Sequence, residues 1–322
     1  MSTEISWTDE TWNPTRGCRR VSAGCENCYA ERQANRFSGP GKPYDGLVKS
    51  IGGKPRWTGK ATFAVDSLEL PLSWRKPRRI FVDSMSDLFY EGFTDEQIDQ
   101  VFGVMALAPQ HTFQILTKRA ARMRSYLTDE NVWPRIEVAA RRILFKREKM
   151  RIGGKYLRGP LPHVWLGVSV ENQDAADERI PELLATPAAL RFLSCEPLLG
   201  PLELKQFMQW SHRCPTCGPG VYAPEGRCST CNAKAIECDG PDWVIAGCES
   251  GPGARPCDVA WLRSLRDQCA SAGVPYFLKQ AVAKMTLNRL DEAITFGVGS
   301  KGKGNVVELP YLDDVQHAAF PT

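Results

Sequence analysis

Six short runs of β-branched and aromatic residues recur along the chain, and each breaks off into polar side chains before a helix-like stretch begins. They are Arg79 to Asp83, Phe113 to Lys118, Val164 to Val170, Arg191 to Cys195, Trp243 to Cys248 and Pro275 to Lys279, with a shorter strand expected ahead of Cys18. Near-continuous apolar strands belong in a sheet covered on both faces, and strand-helix alternation builds parallel βα units. The rhythm predicts an α/β fold, a partial (βα) barrel. Functional groups of such barrels gather where the strands end and the loops open. The exits here carry Asp83, Ser84, Ser86 and Asp87; Thr117, Lys118 and Arg119; Ser169, Glu171 and Asn172; Glu196 after Ser194 and Cys195; Glu249 and Ser250; and Lys279 and Gln280. Serine and aspartate also cap helices and solvate turns. Polar bursts at all six exits point instead to one shared pocket.

With 322 residues, 43% of them hydrophobic and 24% charged, the chain can bury a substantial core, which excludes the disordered and fibrous classes. No apolar run reaches the ~20 residues that span a bilayer, and the opening residues lack the basic-then-apolar order of a signal peptide. The expected setting is the cytoplasm (a host's, for a phage-encoded chain), with no membrane partner. Twelve cysteines there point to metals and clusters rather than disulfides. A net charge of +4 is too mild to predict a nucleic-acid partner by itself.

The densest chemistry lies near the N-terminus, where Cys18, Cys25 and Cys28 have the spacing C-x6-C-x2-C. Three thiolates on one loop can wrap a cluster, and Gly17 and Gly24 permit the tight turns. No fourth ligand stands nearby. A structural metal site closes its coordination shell, whereas a site built for chemistry keeps a position open. A zinc site completed by a distant Cys195, Cys248 or His111 is the alternative.

Cys25-x2-Cys28 followed by aromatic Tyr29, a third cysteine upstream and a βα rhythm downstream resemble a radical S-adenosylmethionine (SAM) enzyme. The common family spacing is C-x3-C-x2-C, so six residues in the first gap are a departure. The resemblance implies a [4Fe-4S] cluster on Cys18, Cys25 and Cys28, with SAM chelated by the fourth iron and an electron donor such as flavodoxin or ferredoxin. It implies adenine packing near Tyr29 and contacts to the methionine amino group from Asp83, Ser84, Ser86 and Asp87, although the usual Gly-Gly-Glu is absent. Ser169, Glu171 and Asn172 resemble the ribose-contacting end of strand four, and Glu196 is a further pocket candidate. The whole chain also resembles a family of uncharacterised phage and prophage proteins, through Trp7 to Cys18 and the stretches DSMSDLF, QILTKR, GVSVEN, SCEPLLG, AGCESG and FLKQ. That similarity implies isomerase chemistry in thymidine hypermodification of phage DNA, and the barrel resembles spore photoproduct lyase, a radical enzyme of DNA repair.

A second group, Cys214, Cys217, Cys228 and Cys231, has the spacing C-x2-C-x10-C-x2-C of a zinc ribbon, although four thiolates can also hold an auxiliary cluster. From Arg135 to Arg158, nine basic residues face two acids, which suits either DNA phosphates or a solvated helix face. Cys195 and Cys248, near strand ends, could donate hydrogen to a substrate radical or be buried as small hydrophobes. The expected organisation is barrel over 1–205, with a basic helical insert at about 120–162, a ribbon insert over 206–241, and the remaining barrel and tail over 242–322. The expected activity is reductive SAM cleavage and hydrogen abstraction. A non-catalytic zinc-binding nucleic-acid module is the alternative from another class.

Overall fold

The computed structural model describes residues 5–147, 157, 159–208, 211–213, 236–238, 240–251, 253–282, 306–308, 311–313 and 315–321. Cys214, Cys217, Cys228 and Cys231, and the basic residues Lys149, Arg151, Lys155 and Arg158, lie outside them. The chain divides into two compact units, Met1–Gly167 with Pro187–Ala189, and Val168–Thr186 with Leu190–Thr322.

The apolar runs form strands, each starting within one residue of its expected place. They are β2 (Arg79–Val82), β3 (Thr112–Thr117), β4 (Val164–Ser169), β5 (Leu190–Cys195), β6 (Trp243–Gly247) and β7 (Tyr276–Val282), preceded by a short β1 (Glu10–Trp12) and followed by β8 (Val306–Glu308). In the first unit the strand order is β1-β2-β3-β4, with Trp12 opposite Val82 and Val82 opposite Ile115 in parallel register. In the second unit β5, β6 and β7 are parallel neighbours, and β8 pairs antiparallel with β7. Both orders follow the chain without the reversal that marks a doubly wound sheet. The class is mixed α/β.

Helices α1 (Tyr29–Arg36), α2 (Asp95–Leu107), α3 (Ala120–Leu127) and α4 (Val132–Lys146) belong to the first unit, and α5 (Gln173–Leu184) and α6 (Val259–Ala272) to the second. Their starts follow local chemistry. Thr94 and Gln97 form a reciprocal capping box on α2, satisfying donors that a helix start leaves orphaned. Asp258 caps α6, which ends on Gly273 in the left-handed region at φ 67°. None of the described helices is long and apolar enough to cross a membrane.

The core of the first unit packs Trp7 against Phe81 and Trp12 against Phe113. In the second, Trp243 stacks among Phe192, Phe277 and Phe320, and its indole N–H donates to the Ala319 carbonyl. Helix α4 buries Ile136, Ala139, Ala140 and Ile143 at the spacing of a helical period, with Leu144 half-buried at the margin. It lies directly on α2 at Gly103, where an added Cβ would stand 3.0 Å from the Ala140 backbone nitrogen.

The opposite face of α4 is less free than a count of charges suggests. Arg135 pairs with Asp99 and Asp129, Arg141 with Glu137, Arg142 with Glu96 and Arg147 with Glu69. Four of the five described cations in this stretch are thus already partnered by acids that lie mostly in other segments, where the sequence gives no periodic sign of them.

Valine at position 103 would drive its branched side chain into the α4 backbone. Gly103→Val should lower stability by about 1–3 kcal/mol, the usual cost of overpacking. Thermal unfolding followed by circular dichroism measures this, and an unchanged midpoint would contradict the close approach.

Candidate functional site

The cysteine loop follows β1, in the first unit. Gly17 opens it at φ 93°, and a side chain there would strike the Lys60 carbonyl oxygen at 2.2 Å, so only glycine fits. Cys28 lies directly before α1, whose buried Glu31 faces inward. Arg20, from the gap between Cys18 and Cys25, grips Glu31 with two N–H groups at 3.0 and 2.7 Å and reaches Glu26 at 2.9 Å. Arg56 adds bonds to Glu26 and Glu31 at 2.8 and 3.3 Å, while the Trp57 backbone N–H donates to Glu31 at 2.9 Å. Both gaps of the C-x6-C-x2-C loop are therefore tied to one helix by charge-assisted bonds.

The exits of β2 and β3 hold the other side. The Ser86 hydroxyl donates to the Gly17 carbonyl at 2.6 Å, and the exposed Tyr29 ring is anchored through its hydroxyl to the Ser84 carbonyl. Asn13 accepts from the Ser84 hydroxyl at 3.2 Å and the Met85 N–H at 2.9 Å. Asp87 accepts from the Thr117 hydroxyl, the N–H groups of Phe89 and Lys118, and the Arg119 guanidinium, at 2.7–3.1 Å. Arg119 in turn points one N–H at the Cys18 sulfur, 3.8 Å away.

Asp83 differs from its neighbours. Its backbone is left-handed at φ 58°, its Oδ1 accepts from the Thr15 N–H at 3.0 Å, and its buried Oδ2 has no partner among the described residues. Burial, with Asp87 nearby, pushes its carboxyl up to about 8 despite the Thr15 contacts. Left-handed backbone at an aspartate is uncommon and concentrates at functional loops.

The three thiols are free and partly exposed, and they are close enough to influence one another's charge. Burial and then Asp87 push the Cys18 thiol up to about 12, with Arg119 pulling the other way, and burial also raises Cys28. A bound metal would have to displace those protons. Among the described residues no three His, Cys, Asp or Glu close round one point as a single ion requires. A cubane instead takes thiolates on irons at separate corners; three thiols would serve three of its four irons and leave one without a protein sulfur. His111, the distant ligand of the zinc alternative, shares its Nε2 contact with the Pro71 carbonyl at 3.1 Å.

The remaining candidates lie in the second unit. Glu171 and Arg179 form a fully buried ion pair at 2.9 Å, and Arg179 also donates to the Ser169 carbonyl. Asn172 caps α5 by accepting from the Ala175 N–H at 3.0 Å. Glu196 accepts from the Ser194 hydroxyl at 3.3 Å and pairs with Lys279 at 3.1 Å, lying so close to Gly247 that a Cβ there would meet it at 2.6 Å. The β6–β7 register shifts between Ala246 and Gly247, and irregularities of this kind re-aim side chains. Glu249 is clasped by Arg255. Cys195 and Cys248 are both buried, Cys195 near Cys269 and Cys248 near Cys257.

A family model described as "Protein of unknown function (DUF5131)" matches residues 2–312. The chain belongs to that family. No curated protein and no solved structure matches it.

Sequence reasoning reached the cysteines and the strand exits of this family member. It included Asn13 only as a letter of the Trp7-to-Cys18 segment, without its role, and missed Arg20, Glu31 and Arg56 as the residues that tie the loop down. Glu31 left a trace, as an acid between Ala30 and Ala34 on the buried side of α1.

Unfolded aspartate titrates near 3.9, so between there and about 8 the unfolded chain releases a proton that folded Asp83 retains. That contribution to stability is complete below pH 3.9 and is lost as the pH rises, by at most ~1.4 kcal/mol per pH unit. Asp83→Asn removes the loss. The urea midpoint of the wild type should therefore fall relative to the variant between pH 5 and 8, and parallel curves would refute the assignment.

Proposed function

We propose that this chain is a radical SAM enzyme, with Cys18, Cys25 and Cys28 each holding one iron of a [4Fe-4S] cluster and its two stretches of parallel strands belonging to a partial βα barrel. The observation that carries the reading is the three-thiol loop after β1, tied to the C-terminal exits of β2 and β3 through Ser84, Ser86 and Arg119. A loop bound to strand exits lies where barrel enzymes keep their chemistry. A cluster held by Cys18, Cys25 and Cys28 would supply the one-electron chemistry for reductive cleavage of SAM and hydrogen abstraction from the substrate.

The protein's own work is to bind and to orient. Tyr29 offers an exposed ring whose hydroxyl is pinned to the Ser84 carbonyl, a fixed flat surface for the adenine. Of the four polar residues after β2, Asp87 is fully engaged and Ser86 is bonded to Gly17, whereas one Asp83 oxygen has no partner among the described residues, which suits it to accept from the methionine ammonium. An arriving cation would draw the proton off its carboxyl.

For the substrate we infer a nucleic-acid base, in particular a modified thymine of phage DNA undergoing isomerisation, with a repair lyase keeping the same chemistry on a damaged base. This part rests on resemblance. The described cations of α4 are mostly paired with acids and lend the DNA partner no support.

Reconstitution with iron and sulfide under anaerobic conditions, reduction and addition of SAM should give cluster absorption and 5'-deoxyadenosine. Uptake of zinc alone, without sulfide or SAM cleavage, would leave the metal-binding module as the reading. Cys25→Ala should lose this cluster while any zinc on the ribbon cysteines stays, and full retention of iron would overturn the ligand assignment.

A further inference from the structure

Arg119 follows β3 and is 7% exposed, yet all three of its guanidinium nitrogens are engaged. Nε donates to both Glu91 oxygens at 3.1 and 3.0 Å, Nη2 to the Arg19 carbonyl at 2.9 Å, and Nη1 to Asp87 at 2.9 Å and toward the Cys18 sulfur at 3.8 Å. The Tyr90 ring covers one face of the fork, with its centroid 4.8 Å from the guanidinium carbon. A simple tie between loops needs a donor to Arg19 and an acid to meet it. It does not need a buried cation aimed at one of three ligand sulfurs while its remaining nitrogens are locked elsewhere.

From this geometry we propose that Arg119 is a positioning residue that fixes the Cys18 sulfur and raises the reduction potential of the group held by the loop. The inference rests on the iron-sulfur reading above. Reduction adds one electron, taken from a low-potential donor, to a centre whose sulfurs carry much of the negative charge. An N–H directed at one sulfur and a positive charge held in a poorly solvated site both favour the electron-richer state. Asp87 and Glu91 temper that charge. Removing Arg119 would leave both carboxylates unneutralised and lower the potential further than the loss of one hydrogen bond alone.

The test is a redox titration of the full reconstituted chain, following the cluster by electron paramagnetic resonance. Arg119→Met should shift the one-electron equilibrium at least about tenfold toward the oxidised form, equivalent to ~59 mV downward. Arg119→Lys keeps the charge and should recover most of the potential while loading less cluster, because its single ammonium cannot reproduce the fork. Glu91→Gln alters an exposed side chain and leaves the fold intact, and it should move the midpoint the other way. Opposite shifts in the two neutral variants support the proposal. Should Arg119→Met fail to fold, the upward shift in Glu91→Gln carries the test, and no shift there overturns it. Midpoints equal to wild type, with only cluster occupancy reduced, would make Arg119 a structural tie and sink the inference. A wild-type chain that takes up neither iron nor sulfide would instead remove the iron-sulfur reading on which it stands.

Discussion

Four donors converge on the carboxylate of Asp87, and the organisation of the first unit's strand exits depends on it. Thr117, Lys118 and Arg119 come from the end of β3, and Phe89 from the segment that follows β2. Arg119 then extends the same network to Arg19 and Cys18 on the cysteine loop. An aspartate with only one of these partners would suffer a desolvation cost that its bonds could not offset. With four, each lone-pair direction is used, and the burial that makes an unpaired charge expensive makes the completed network rigid.

Glu31 plays the corresponding part on the other side of the loop. Two arginines and a backbone N–H meet it, and one of those arginines lies between the first two cysteines. Buried ion pairs add little net stability compared with apolar packing, because desolvation cancels much of the attraction. Their value here is geometric. A loop of six residues between two thiols has many conformations of similar energy, and Arg20 on Glu31 selects the one that brings Cys18 back toward Cys25 and Cys28. The six-residue gap has a physical use on this view, since it includes the arginine that anchors it.

The strands were legible because burial on both faces leaves a local record, a run of apolar residues that needs no partner to recognise. Caps were half legible: Asn172 has the chemistry of a cap and acts as one, but the same asparagine at a strand exit also reads as a ligand contact. Charge was least legible. Glu171 reads as a pocket acid until Arg179, eight residues on, is found within a buried pair, and Arg135, Arg141 and Arg147 read as a phosphate-binding face until their acids are in place. Polarity is written in the sequence, whereas satisfaction of that polarity is decided by partners anywhere from four positions away, as for Arg141 and Glu137, to tens, as for Arg147 and Glu69.

Asp83 and Asp87 carry this distinction furthest. They are the same residue type, four positions apart, on one strand exit, and both are buried. The β1–β2 ladder continues into Asp83, whose N–H donates to the Trp12 carbonyl, and the chain then turns through the left-handed region at that same residue. The turn faces one carboxylate oxygen toward Thr15 and leaves the other without a hydrogen-bond partner among the described residues. Four residues later the backbone has come round to the β3 exit, where donors are plentiful. An unsatisfied buried oxygen on a strained backbone is costly to folding and persists only where the surroundings over-determine it. The wall around Asp83 does so through Thr15 and the paired strands, so the unmet polarity of this exit, among the described residues, is concentrated in one carboxylate rather than spread over four polar residues.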